Sequence, residues 1–394
     1  MTSKLFKRII HKLARRKFVR DFDKFCTEKK GRALMYYKTE EFFLKGFLSD
    51  LSHPNNWESY QMAKILNGLG FVVDVIDRTA TMSDVEKLRD EYDIFIGLGA
   101  GDSGKHFIDI AKRLSSAVRI LYAMGPEPDL SNMITKKRHD EFLERFPGNK
   151  IVYRRMIHDV DITESMKYTE AIITCCNDWG IEGYKKFGKQ IERVWLSSYE
   201  GLRTTPEEIS KKNQKKFLYF GGNGNIMKGL PLVIEAFSKL PELELYIGAP
   251  KTEEDFNQIM NPMLDSSSNI HFVGFMDVKG EEYGGISRDC GYVILPSSSE
   301  GCATSVTTCM RRGLIPIVTI ETGVDVGDFG YMLESIDMDY MVNTIRSISK
   351  EDRAEFERRT QETYKESEKY TQENFTRTLN EAVKNIITKN SKNA

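Results

Sequence analysis

The sequence predicts an α/β protein of two domains, each a doubly wound parallel sheet of Rossmann-like kind, facing one another across a cleft. Three observations predict this. The 394 residues exceed what one hydrophobic core ordinarily serves, so two domains of about 150–200 residues are expected. Short apolar runs alternate with amphipathic stretches along most of the chain, which is the pattern of strand–helix–strand units. The alternation breaks once, at the polar segment Tyr199–Lys216, and then restarts. Hydrophobic content of 40% and charged content of 29% suit full-sized cores. A formal net charge of −1 leaves no global field to attract nucleic acid. Cys26, Cys175, Cys176, Cys290, Cys302 and Cys309 show no C-x-x-C spacing and read as reduced, mostly buried thiols of a cytosolic protein. No apolar run approaches the roughly 18 residues of a membrane span, and no signal-peptide core is present at the start.

The first domain is expected over residues 32–200. "ALMYY" (Ala33–Tyr37) opens it as a strand. Met62, Ile65, Leu66 and Leu69 then share a helical face that Gly68 or Gly70 ends. Phe71–Ile76 and Tyr92–Gly99 are strands, followed by a helix around Phe107–Leu114. Ala117–Gly125, Ala171–Cys176 and Arg193–Ser198 continue the strand series. A linker over 201–214 leads to the second domain, 215–362. Its strands are Phe217–Phe220, Glu242–Gly248, Ile270–Gly274, Gly291–Pro296 and Leu314–Thr319. The tail, 363–394, is expected as one helix with Phe375, Leu379, Val383 and Ile386 on a stripe, crossing back to the first domain.

Ahead of both domains, residues 1–31 are expected to form a basic amphipathic helix. Lys4, Lys7, Arg8, Lys12, Arg15, Arg16, Lys17 and Arg20 precede the first acid, Asp21, and Leu5, Phe6, Ile9, Ile10, Leu13 and Val19 recur near helical spacing. That pattern suits attachment to an anionic membrane surface, the inner face of the cell membrane for a cytoplasmic protein. The plain alternative is a helix that packs on its own domain or frays.

In open α/β sheets the loops after strands carry chemistry. "FGGNGNIMKGL" (Phe220–Leu230) places Gly221, Gly222, Asn223, Gly224 and Lys228 between a strand and a helix. It lacks the third glycine of a dinucleotide fingerprint, since Met227 stands there, and it has no G-K-[ST]. It reads as a glycine-rich turn whose amides and lysine suit a diphosphate, or as a tight turn with a solvated lysine. "PSSSEGCATSVTTCM" (Pro296–Met310) ends a strand with Glu300 and Gly301 and opens a helix near Ala303 and Thr304. Free amides there suit an anion, and Glu300 suits a sugar hydroxyl beside it. A capping or surface acid is the plain alternative.

Together the two loops resemble those of the GT-B glycosyltransferases of family 4. In that family a strand–Gly–Arg–x–x–x–x–Lys–Gly turn precedes a helix, and a Glu-Gly-Phe-Gly…Glu-Ala-Met run follows a serine-rich strand end. The resemblance is strong over Phe217–Val318, including the strands "LELYIGAP" and "IHFVGF", and weaker over Arg32–Ser198. It implies a retaining enzyme that moves a sugar from a nucleotide-sugar to a glycan or lipid-linked acceptor in surface polysaccharide synthesis. It implies no bound metal and no cofactor besides the donor, which is substrate. Lys228 would neutralise the donor diphosphate, Glu300 would hold hydroxyls of the transferred sugar, and Gly222, Asn223, Gly224, Gly301, Ala303, Thr304 and Thr308 would line the donor. Two departures stand out. The family's arginine falls on Asn223 and its second glutamate on Thr308, which leaves the nucleotide open.

The acceptor side is expected on first-domain loops, with Asp102 and Ser103 in "GLGAGDSGKH" and Glu127 in "MGPEPD"; His106 and the loop "TCCNDWG" are further candidates. A sugar-nucleotide epimerase or phosphorylase on the same fold, or a catalytically silent binding module, remain as alternatives.

Overall fold

The computed structural model describes residues 16–44, 54–99, 104, 106–158, 160–199 and 204–391. The first sheet contains β1 (Phe18–Phe22), β2 (Gly31–Tyr37), β3 (Phe71–Asp77), β4 (Ile94–Leu98), β5 (Val118–Ala123), β6 (Ala171–Thr174) and β7 (Gln190–Arg193). Their order is β1-β3-β2-β4-β5-β6-β7, parallel throughout except for β1, which runs antiparallel on the β3 edge. The second contains β8 (Asn213–Phe220), β9 (Glu244–Gly248), β10 (Ile270–Phe272), β11 (Cys290–Leu295), β12 (Ile315–Val318) and β13 (Tyr331–Met332). Its order, β10-β9-β8-β11-β12-β13, is parallel throughout. This is the doubly wound 3-2-1-4-5-6 arrangement, whose strand order reverses between β8 and β11.

The inner strands are apolar on both faces because helices cover both. β4 reads IFIGL and β11 reads CGYVIL, with every residue buried. The helix Leu230–Ser238 follows β8 and buries Leu230, Leu232, Val233, Ile234 and Phe237. Each such side chain contributes about 1.5–3 kcal/mol on leaving water. The second-domain core takes in Phe142, Cys175 and Leu196 from the first domain, so apolar packing is continuous across the junction.

Four expectations are corrected. Within the described part of the expected N-terminal helix, 16–31, Phe18–Phe22 is a strand, and its Arg20 reaches Asp74 on β3 at 3.4 Å. Residues 1–15 lie outside the described residues. The expected strand Arg193–Ser198 is displaced toward β7, and only its first residue is in the ladder. The tail is two helices, Arg353–Glu366 and Gln372–Ser391, with a 3-10 corner at Ser367–Tyr370. The second of them places Phe375, Leu379, Ala382, Val383 and Ile386 in the same cluster as β2, β4 and β5 side chains. Strand β8 also begins inside the expected linker, with Asn213 paired to Cys290. Among the described residues no helix is long and apolar enough to cross a membrane.

Candidate active site

The strand-order reversal of the second sheet sets the position of the site. The turn after β8 and the loop after β11 leave neighbouring strands at their carboxyl ends and meet. Gly229 takes φ +76°, and a Cβ there would come within 2.4 Å of the Pro296 carbonyl oxygen. Only glycine allows both that backbone and that approach. Ser298 closes the pairing, its N–H and its hydroxyl both donating to the Met227 carbonyl, at 2.9 and 3.1 Å.

The result is one contact between the two residues of greatest interest. Lys228 donates from Nζ to Glu300 Oε1, and Glu300 lines a cleft between the domains. Lys228 is only 8% exposed. Burial pushes its ammonium down to about 7, the Arg155 guanidinium adds to that push, and the Glu253 carboxylate opposes it. Direct contact with Glu300 also favours the charged form. The cleft encloses about 500 Å³, and Glu300 and Gly301 face Met124, Gly125, Arg78 and Arg155 of the first domain across it.

The first domain is held against this side of the cleft. Ser131 and Ser299 share a hydrogen bond of 2.7 Å, Arg138 donates to the Pro296 carbonyl at 2.9 Å, and Asn177 donates to the Ile320 carbonyl at 2.9 Å. At Gly301 the domains nearly touch. A Cβ there would lie 2.2 Å from the Met124 carbonyl oxygen.

Other expected site residues are placed differently. The Gly224 and Asn225 amides bind the buried Glu253 carboxylate, at 2.5 Å and 3.2–3.3 Å, so this part of the glycine turn already holds an internal anion. Gly222 and Asn223 stay exposed at the rim, and Asn223 Oδ1 accepts from the Thr252 hydroxyl at 3.1 Å. The Ala303 amide is not free, since it donates to the Thr322 carbonyl at 3.1 Å. The Thr304 carbonyl accepts the Thr308 hydroxyl at 2.7 Å, and Thr308 is buried behind the loop, where its oxygen also receives the Tyr199 amide at 3.4 Å. On the acceptor side Glu127 caps the helix Pro128–Arg145, accepting from the Asp129 and Leu130 amides at 3.2 and 3.0 Å. His106 is buried and lies 3.4 Å from Asp109. Asp102 and Ser103 lie outside the described residues. In "TCCNDWG", Asn177 caps the helix Asp178–Lys185 and spans the domains.

Sequence reasoning missed Arg78, Arg155, Glu253 and Glu58. Arg78 directly follows β3, so the strand-end rule that found Lys228 would have found it. Nothing in "VYRRM" marks Arg155, because no strand precedes it. Glu58 sits on the helix Pro54–Gly68 at 0% exposure. Its Oε1 accepts from the Ser197 amide and hydroxyl, both at 3.1 Å, while Oε2 has no partner.

Burial pushes the Glu58 carboxyl from 4.5 to about 7, against the two Ser197 hydrogen bonds. A folded pKa above the unfolded one stabilises fully below about 4.5 and is lost as pH rises through about 7. A shift of about 2.5 units corresponds to about 3 kcal/mol. Glu58→Gln, which mimics the protonated form, is therefore expected to match wild type near pH 4 and to exceed it by up to that amount near pH 8.5. Urea unfolding at the two pH values measures this, and an identical pH dependence in both proteins would contradict it.

Comparison with known proteins adds a family match over part of the chain. Residues 203–366 match the family Glycosyl transferases group 1. The chain is similar in fold to sucrose-phosphate synthase of Thermosynechococcus elongatus, at TM-score 0.62 and 12% identity over 90% of this chain and 98% of that one. It is similar to HepE of Anabaena, solved with UDP and glucose, at TM-score 0.55 and 12% identity over 90% and 98%. A third likeness is to WaaG, a glycosyltransferase involved in lipopolysaccharide biosynthesis, at TM-score 0.57 and 13% identity over 90% and 99%. No curated protein matches the chain. The shared frame is the GT-B fold.

Proposed function

We propose, from the GT-B fold and the match of residues 203–366 to the group 1 glycosyltransferases, that the chain moves a sugar from a nucleoside-diphosphate donor to a hydroxyl of a glycan or lipid-linked acceptor. The observation that carries the reading is the Lys228–Glu300 pair at the strand-order reversal, whose Glu300 faces the other domain across the cleft. As the bond from the anomeric carbon to the diphosphate breaks, negative charge grows on the departing phosphate. A buried ammonium already in place stabilises that charge without reorganising. Lys228 then exchanges Glu300 for the phosphate, and the freed carboxylate accepts hydroxyls of the transferred sugar. The acceptor oxygen forms the new bond to the same carbon, with retention, and its proton leaves with the diphosphate or to water. The sugar, the base and the linkage are set by contacts above this pair.

The neighbour HepE was solved with UDP-glucose, which makes UDP-sugars the first donors to try. The test is a thermal-shift and hydrolysis panel with UDP, GDP, ADP, CMP and their common sugar conjugates. A shift with one nucleoside diphosphate, together with sugar release from its conjugate, is the expected result. A changed sugar with no transfer would move the reading to an epimerase. No response to any nucleotide would move it to a silent binding module.

Membrane attachment through the basic start is part of the same reading, since each basic residue near an anionic surface contributes about 1 kcal/mol. Val19 and Arg20 belong to the sheet, so the informative deletion is 1–15. It is expected to release the protein from anionic vesicles and leave donor hydrolysis intact. Unchanged co-sedimentation would exclude attachment through this segment.

A further inference from the structure

Between the helices Pro128–Arg145 and Ile162–Lys167 the first domain extends a segment along the second. The Val152 amide donates to Asp255 Oδ2 at 2.7 Å, and Arg154 closes on the same carboxylate at 2.7 and 2.8 Å. Five residues beyond Val152, Ile157 is tied back to its own domain. Its amide donates to Asn132 Oδ1 at 2.7 Å, and its carbonyl accepts from Asn132 Nδ2 at 2.8 Å.

Arg155 stands between these two anchors. Its φ is +65°, in the left-handed region that strains a residue with a Cβ. Its stem lies over the glycine turn, where a Cβ on Gly224 would come within 2.7 Å of Arg155 Cγ. The side chain lines the same cleft as Met227, Glu300 and Gly301 and is exposed to it. Partial loss of water pushes its guanidinium down, and among the described residues no carboxylate pairs with it. The anions of the neighbourhood are already committed. Glu253 serves the Gly224 and Asn225 amides, Asp255 serves Arg154, and Glu300 serves Lys228. A strained backbone that presents an uncompensated cation to a cleft is an arrangement for an anionic ligand.

We propose that Arg155 is a second cation for the donor's diphosphate, supplied by the first domain while Lys228 is supplied by the second. The proposal rests on the reading of the cleft as a nucleoside-diphosphate-sugar site and extends it. The diphosphate is gripped from both domains, and Arg155 reaches it only while Arg154 holds Asp255. Donor affinity is thereby tied to the docked position of residues 150–157.

The test is calorimetric titration of wild type, Arg155→Gly, Arg155→Lys and Lys228→Ala with UDP, GDP, ADP and inorganic pyrophosphate. Glycine accepts φ +65° without strain, so Arg155→Gly is expected to melt at or above the wild-type temperature. Its Kd for the nucleoside diphosphate is expected to rise about 10- to 100-fold, the loss of a charge-assisted hydrogen bond or two. Lysine should recover part of that. The alkaline decline of affinity should also move to higher pH in Arg155→Gly, because a cation that pushes the Lys228 ammonium down is gone. Wild-type affinity in Arg155→Gly, alongside lost affinity in Lys228→Ala, would overturn the proposal and leave the site reading standing. A wild type that binds none of the four ligands would overturn both.

Discussion

Lys228→Met is expected to lower sugar transfer about 10²–10³-fold, the usual cost of removing one preorganised donor from developing negative charge. The same substitution is expected to lower thermal stability, for a separate reason. Lys228 and Glu300 are both largely buried and paired, with side chains 10% and 13% exposed. Removing one partner leaves an uncompensated charge, at a cost of up to about 3–5 kcal/mol. The two effects separate in the double variant Lys228→Met/Glu300→Gln. Its melting temperature should return most of the way to wild type, while its turnover should stay as low as in the single variant or lower. Recovery of turnover together with stability would mean that Lys228 is a structural partner of Glu300 and not a charge for the leaving group. The pH profile gives an independent check. Burial and Arg155 pull the Lys228 ammonium down to about 7, so the neutral amine gains as pH rises, and donor affinity should decline above neutrality. Arginine at this position, which stays protonated, should flatten that decline.

Gly301→Ala is expected to be the most damaging single methyl group that can be added to the cleft. The new Cβ would sit 2.2 Å from the Met124 carbonyl oxygen, 2.8 Å from its carbon and 3.0 Å from Cys175 Sγ. Two of these are main-chain atoms of the first domain, so no rotamer relieves the clash and the domains must part. Glu300 is the adjacent residue, and a displacement of about 1 Å at reacting groups costs on the order of 10² in rate. The expected result is a loss of kcat/KM of that size with increased hydrogen exchange at residues 124–131 and 296–304. Gly285→Ala is the control. Nothing lies within 4 Å of a Cβ there, the residue is in the helix Glu281–Asp289, and alanine should stabilise by about 1 kcal/mol with rate unchanged. Normal turnover in Gly301→Ala would show that the domains separate without cost at this point.

Lys228 and Glu300 were legible because two local signals coincide at each. An apolar strand ends, and a polar residue follows before a helix, at the carboxyl edge where α/β sheets bind ligands. The strands themselves were legible for the same reason, as apolar runs closed by glycine or proline. What escaped depends on contacts made far along the chain. Arg155 follows no strand, and its placement comes from the docking of one domain on the other; Glu253 follows β9 by the same five residues that separate Glu300 from β11, but its partners, the Gly224 and Asn225 amides, lie in a turn that its local sequence does not indicate. Ala303 and Thr308 sit at expected positions, yet their polar groups are taken by Thr322 and Thr304, which spacing does not reveal. The basic run at the start suggested a helix over residues 1–31, and "FVRDF", with two apolar residues followed by two polar ones, carries no strand period to oppose it. The strand is set by its pairing partner, β3, some fifty residues away. The corner at Ser367–Tyr370 was missed because residues on either side are good helix formers, and the turn is set by Tyr370 accepting the Ser198 amide and hydroxyl, at 2.9 and 2.8 Å.

The helix Gln372–Ser391 lays five apolar side chains into the first domain, and this orders events during synthesis. Residues 213–366 have all their strands and most of their core once the ribosome has passed them, so the second domain can close while the chain is still growing. The first domain, although made earlier, waits with an unfilled groove on β2, β4 and β5 until residues 372–391 emerge. The half of the protein translated first is thus finished last, and the interval exposes an apolar surface to chaperones. A stop codon placed just after residue 366 would leave that groove open permanently in an otherwise nearly full-length chain.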